Sequence, residues 1–191
     1  MIIKNKKLES ALNNLKNGNM IIYETDTLYG LGVDATNTLA IEKINKLKKR
    51  NTPLSIMVES INNIDNYAFL DSKKMNIIKN ILPGPFTILL KAKRSNLSHL
   101  VQQKSNKIGI RIPNNSFCIN LLKNYKKPII TTSVNIHGQS ALNNIDEIEN
   151  IFFNIDIYKG EINPNSKGST IIDLSSDKPK IIRQGDGIYK K

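Results

Sequence analysis

The chain has 191 residues, of which 39% are hydrophobic, and a formal net charge of +12 (28 Lys and Arg against 16 Asp and Glu). Its length supports one domain, residues 1–191, with a buried core. Its charge favours a polyanionic partner such as a nucleotide or RNA, although abundant Lys, Asn and Ile mark a compositional bias that leaves many lysines merely solvated. The single cysteine, Cys118, excludes an intrachain disulfide and a thiolate zinc site; the early polar N-terminus and the lack of any window near the roughly 20 apolar residues of a membrane span lead us to expect a cytoplasmic protein without a membrane partner.

Leu8, Ala11, Leu12 and Leu15 recur at helical spacing and stop at Gly18, which predicts a first helix. "MIIYE" reads as a strand that ends in the polar, glycine-containing stretch "ETDTLYGLGVDA", where a tight turn and a pocket floor are both compatible with the residues. A second helix is expected over 38–49, with Ala40, Ile44 and Leu47 on one face and lysines towards its end. "LSIMV" follows as a strand. Residues 60–82 read as helix in two pieces broken near Leu70 and Asp71, and "PGPFTILLKAK" as a turn entering a strand. "KIGIRIP" is a strand ended by Pro113. Then come a helix over 115–125, the strand "PIITTS", a helix over 144–153, a short strand over 155–159, the polar loop "EINPNSKGS", and the strands "STIIDL" and "KIIRQ". Strands separated by helices throughout imply an α/β layer architecture.

Four polar clusters, "ETDTLYGLG", "LKKRNTP", "TTSVNIHG" and "GSTIIDL" with "IIRQG", fall at strand ends or helix termini, where ligands gather in such folds. Against 24 lysines there are only Arg50, Arg94, Arg111 and Arg183. Where composition favours Lys, a retained Arg points to a need for its planar fork. No GxxxxGK[ST] loop occurs, and "GLGVDA" lacks the third glycine of a dinucleotide fingerprint. His99 and His137 lack metal-ligand spacing and read as surface or loop residues, and Ser133 has no evident base partner for a hydrolase triad.

Taken together, "TDTLYGLGVDATN", the KxR of "LKKR", "PLSIMV", "PGPFTILLKA", "IGIRIP", "TTSVNIHG" and "GSTIIDL" with "KIIRQG" make the chain resemble the YrdC/Sua5 family of threonylcarbamoyl-adenylate synthases over roughly residues 8 to 187. It looks like the short form without a further C-terminal domain. The resemblance implies a twisted α/β sheet covered by helices with a basic concave face. It also implies that L-threonine, bicarbonate and ATP, with Mg2+ on the triphosphate, give threonylcarbamoyl-AMP and pyrophosphate. That product would pass to a separate tRNA threonylcarbamoyl transferase complex for t6A37 modification. By motif position, the resemblance places Thr27, Arg111, Thr131 and Ser169 on threonine, Lys48 and Arg50 on the ATP phosphates as the catalytic pair, and Asn51, Ser133, Asn135 and Arg183 on the nucleotide. Arg94 reads as a surface residue.

The chain departs from the family pattern in three places. The loop "RNTPL" is about two residues shorter, so that Asn51 stands in for a nucleotide-contacting Asn; Lys107 replaces a Thr; and Met57 replaces a substrate-contacting His. Two alternatives stand beside this reading. One is a YrdC-like paralogue that makes another carbamoyl-adenylate, and the other is a non-catalytic module that binds tRNA or double-stranded RNA.

Overall fold

The computed structural model describes residues 2–3, 8–136 and 138–190, and its strands join in one ten-stranded mixed sheet. In chain order the strands are β1 (Ile2–Ile3), β2 (Ile21–Tyr23), β3 (Gly30–Gly32), β4 (Ser55–Met57), β5 (Phe86–Lys91), β6 (Lys107–Arg111), β7 (Ile129–Ser133), β8 (Asp156–Tyr158), β9 (Thr170–Asp173) and β10 (Lys180–Arg183). Across the sheet they run β1-β8-β2-β3-β7-β4-β6-β5-β9-β10. The helices are α1 (Leu8–Lys16), α2 (Thr38–Lys48), α3 (Ser72–Ile81), α4 (His99–Gln102), α5 (Ser116–Tyr125) and α6 (Ile145–Ile151), with a 3-10 helix over Ile61–Asn66. No helix among the described residues is long and apolar enough to cross a membrane.

Local chemistry sets the helix ends. Asn37 caps α2 by accepting from Ala40 N (3.0 Å), and Asn115 caps α5 by accepting from Cys118 N (3.0 Å). α2 stops where Lys49 takes a left-handed conformation (φ 50°). The expected first piece of the 60–82 helix is a 3-10 helix. Its Asn- and Asp-rich sequence is a poor helix former, and Asn63 Oδ1, which accepts from both Ser60 N (3.0 Å) and Ser60 Oγ (2.8 Å), tightens the turn at its start. Three elements escape the sequence reading: β1, the short α4, and β3, whose Gly-Leu-Gly has too little side chain to show a pattern. β3 nonetheless pairs antiparallel with β2 and β7. Glycine is required there, because a Cβ at Gly32 would lie 2.6 Å from Ile130 O.

The sheet alternates cleanly between two cores. Ile22, Ile56 and Ile130 belong to the larger core, with Ala40, Ile41 and Ile44 of α2, Ile78 of α3 and Ile148 of α6. Their neighbours Ile21, Tyr23, Met57 and Ile129 face the opposite way, under Ala11 and Leu15 of α1 and Phe117, Cys118, Leu121 and Leu122 of α5. Cys118 is thus a buried core residue, as its helix-face position suggested.

A polar network pins the α5–β7 corner. Asp34 accepts from Thr36 N and Oγ1 (both 2.7 Å), Tyr125 OH (2.7 Å) and Lys127 Nζ (2.9 Å). Burial alone would raise the Asp34 carboxyl, but the bonds from Thr36, Lys127 and Tyr125 outweigh it and hold the group below its ordinary value. A carboxyl depressed on folding stabilises fully above the unfolded pKa of about 4, and that contribution drains as pH falls through the lower native value. Asp34→Asn is therefore expected to cost about 1.5–3 kcal/mol at pH 7 in urea titrations, with the gap to the parent narrowing at pH 3. An equal gap at both pH values would remove the charge from the explanation.

Candidate functional site

The face that carries Tyr23, Met57 and Ile129 is covered by α1 and α5 only at one end, and beyond the helices it continues as a polar cleft. Strand registers define its floor. Ser55 lies one pleat along β4 from Met57 and pairs with Thr131 and Gly109; Arg111 pairs with Met57; Gly30 pairs with Ser133. Further across the sheet, Thr87 pairs with Ile171, which pairs with Arg183. Arg183 reaches this face because β10 bulges: Ile181 pairs with Ile172 but Arg183, not Ile182, pairs with Ile171. A regular ladder would put Ile182 there and turn Arg183 to the other face.

The cleft encloses about 470 Å³, within the range of small-ligand sites, and is lined by Thr25, Thr27, Arg50, Ser55, Thr87, Arg111, Thr131, Ser133, Asn135, Gln139, Lys167, Ser169 and Arg183, among others. Among the described residues, the charged ones that line it are the cations Arg50, Arg111, Lys167 and Arg183, with no carboxylate.

Arg111 is buried. Its Nη2 donates to Asp26 Oδ1 (2.7 Å) and Thr27 Oγ1 (3.2 Å), and Asp26 Oδ2 accepts from Asn114 N (3.1 Å). Thr25 Oγ1 donates to Leu28 O (2.6 Å) and accepts from Thr27 N (3.1 Å), which folds the "ETDTLYG" stretch into a turn whose hydroxyls face the cleft. The turn and the pocket floor are the same structure. Arg50 Nη2 donates to Pro53 O (3.0 Å). The Nε atoms of Arg50 and Arg111 are buried with no partner among the described residues, so each has hydrogen-bonding capacity to spare.

On the far wall, Arg183 donates through Nε (3.2 Å) and Nη2 (2.6 Å) to Ser169 O, and Ser169 Oγ lies 2.7 Å from Thr87 Oγ1. Asp186 holds this wall together, accepting from Ser166 Oγ (2.5 Å) and Lys167 N (2.7 Å) while its own N donates to Gly168 O (2.8 Å). Burial pulls the Arg183 guanidinium down, the charge of Arg111 pulls it further, and Asp186 opposes both. An anion bound between Arg111 and Arg183 would relieve that mutual repulsion.

Of the positions singled out in the sequence, Thr27, Arg50, Arg111, Thr131, Ser133, Asn135, Ser169 and Arg183 all meet in this cleft. Lys48 and Asn51 are not among its lining residues. Asn51 is exposed. Lys48 is 1% exposed, and its Nζ donates to Ser133 O (2.6 Å), Asn135 O (3.0 Å) and Asn135 Oδ1 (2.6 Å). Burial, and then the charge of Arg50, lower its pKa to about 8. Met57 is core, accepting from Tyr23 OH (3.7 Å), and Lys107 pairs with Asp173 (2.6 Å). His99 and Arg94 are exposed, while His137 lies outside the described residues. Ser55, Thr87, Gln139 and Lys167 were missed. Ser55 and Thr87 had a signal, each a polar residue inside an apolar strand run.

A family model for Sua5, YciO and YrdC proteins, described as telomere recombination, matches residues 13–185. A Methanocaldococcus jannaschii protein called putative threonylcarbamoyl-AMP synthase is 38% identical over 189 residues, covering 95% of this chain and 87% of the relative. The crystal structure of Escherichia coli YciO superposes with a TM-score of 0.86 at 26% identity, covering 98% of this chain and 95% of that one. Pyrococcus abyssi Sua5 in complex with L-threonine superposes with a TM-score of 0.88 at 24% identity; the match covers 97% of this chain and 57% of the longer Sua5 chain.

Proposed function

We propose, because this chain belongs to the Sua5/YciO/YrdC family, that its cleft condenses L-threonine, bicarbonate and ATP into threonylcarbamoyl-AMP and pyrophosphate. The observation that carries the reading is the lining itself, which among the described residues has four cations, no carboxylate, and hydroxyls converging from five strands or their ends. The relative from M. jannaschii bears the name of that synthase, and P. abyssi Sua5 holds L-threonine.

The chemistry asks for little else. Threonine's amine bonds to the bicarbonate carbon while a bicarbonate oxygen leaves as water, taking up the amine's proton, to give a carbamate; a carbamate oxygen then attacks the α-phosphorus as the bond to pyrophosphate breaks. Repulsion between the carbamate and the triphosphate is the main barrier, so fixed cations and donors that spread phosphate charge accelerate the step. Arg50 and Arg183, with Ser133 and Asn135, form the nucleotide side of this assignment; Thr27, Arg111, Thr131 and Ser169 form the threonine side. The lining donors suit anions rather than a resident divalent cation, so Mg2+ belongs to the MgATP substrate, carried by the phosphates. In this reading the product passes in the cytoplasm to a transferase complex acting on tRNA.

Pyrophosphate release should require all three substrates together. Equal release without threonine would overturn the assignment. A paralogue that makes a different carbamoyl-adenylate would show bicarbonate-dependent release that ignores threonine. RNA binding with no ATP turnover would instead mark a non-catalytic module.

A further inference from the structure

We propose that Lys48, the last residue of α2, is a positioning residue that fixes the Ser133–Asn135 wall of the cleft and touches no substrate. The inference rests on the reading of the cleft as the ATP and threonine site, and it changes what the Lys-x-Arg spacing means.

An ammonium has three protons to donate. Those of Lys48 have three acceptors close by, Ser133 O at 2.6 Å, Asn135 O at 3.0 Å and Asn135 Oδ1 at 2.6 Å, which leaves none to aim at a phosphate. The side chain is 1% exposed and absent from the cleft lining, whereas Arg50 is part of that lining. The two part company at Lys49, whose left-handed backbone (φ 50°) turns the chain between them. Lys48 thus lies beneath the wall and Arg50 in front of it.

What Lys48 holds is a relay. Asn135 Oδ1, gripped by the ammonium, also accepts from Ser133 Oγ (2.8 Å), and Asn135 Nδ2 donates onward to Gln139 O (2.7 Å). Ser133, Asn135 and Gln139 all line the cleft, so one buried cation sets the direction of three groups on its surface. The chain leaves β7 at this point, and beyond it the segment is tied back by Gln139 N to Ile136 O (3.1 Å) and Leu142 N to Val134 O (2.9 Å). Removing Lys48 would take a donor from two backbone carbonyls and leave the Asn135 amide oxygen with Ser133 Oγ alone, and the wall would shift to find replacements.

Two measurements test this. In the apo protein, Lys48→Met is expected to speed hydrogen exchange at the Gln139 and Leu142 amides about 10-fold or more while the β5–β6 amides keep their protection. In steady-state kinetics, Asn135→Ala should lower kcat/KM for ATP about 10-fold in the parent but less than about 3-fold in the Lys48→Met background, because both substitutions undo one arrangement. Unchanged exchange, or multiplicative losses from the two substitutions, would overturn the proposal in favour of a direct phosphate contact. If Lys48→Met does not fold, Lys48→Gln takes its place in both measurements. Should the parent show no threonine-dependent turnover, the functional reading fails on its own, and the apo exchange result still decides whether Lys48 fixes the wall.

Discussion

Arg111→Ala is expected to lower stability by about 3–5 kcal/mol and to reduce threonine-dependent pyrophosphate release to background. The stability loss follows from what stays behind. Asp26 is nearly inaccessible, with 7% of its side chain exposed, and Arg111 Nη2 at 2.7 Å is its counter-ion. Truncating the guanidinium leaves a desolvated carboxylate held only by Asn114 N, and breaking a buried pair from one side costs far more than removing both partners. Turnover falls for a separate reason, since truncation also removes one of the cations that line the cleft on the side assigned to threonine. Adding Asp26→Asn should separate the two effects. Urea titration of the double variant should recover much of the lost stability, while its turnover should stay at background. Recovery of both together would show that Arg111 serves the fold alone.

Gly185→Ala should also be severe, although it deletes nothing. A methyl at this position would overlap Gly168 O and lie 2.6 and 2.7 Å from Ser169 C and O. These are backbone atoms with no rotamer to yield, so the 166–169 turn and the 183–187 segment must separate. That separation strains the Asp186 clamp and the bonds from Arg183 to Ser169 O, two of the contacts that define the far wall. Overpacking of this kind costs about 1–3 kcal/mol, or roughly 2–12 °C in melting temperature for a chain of this length. The kinetic effect should be larger than the thermal one, appearing mainly in KM for ATP. A variant with parental kinetics and a lowered melting temperature would place this contact outside the working site.

The apolar runs made the strands legible. "MIIYE", "LSIMV", "PIITTS" and "KIGIRIP" fall on β2, β4, β7 and β6 to within a residue or two, because buried strands need continuous aliphatic sequence. Gly30–Gly32 was illegible for the opposite reason: its role is to let Tyr23 and the Ile130 carbonyl come close, and the absence of a side chain leaves no pattern. The site was legible as a set of positions but not as an arrangement. Clusters at strand ends located Thr27, Arg50, Arg111, Thr131, Ser133, Asn135, Ser169 and Arg183, which meet across registers that no single stretch of sequence encodes. Lys48 shows the limit most clearly. Its neighbour Arg50 argues for a shared task, yet one left-handed residue separates a buried ammonium from a cleft-lining guanidinium.

The bulge in β10 has a bearing on how copies of this protein behave towards each other. β10 is the last strand of the sheet, its four residues are all exposed, and Ile181 and Ile182 present 37% and 49% of their surface to solvent. An apolar edge of that kind is a template for another chain's strand. The residue left unpaired between Ile181 and Arg183 breaks the regular spacing that an incoming strand would have to match, while Lys178, Pro179 and Lys180 put charge and a missing N–H at the start of the edge. The irregularity that turns Arg183 into the cleft thereby also makes the β10 edge a poor template for a further strand.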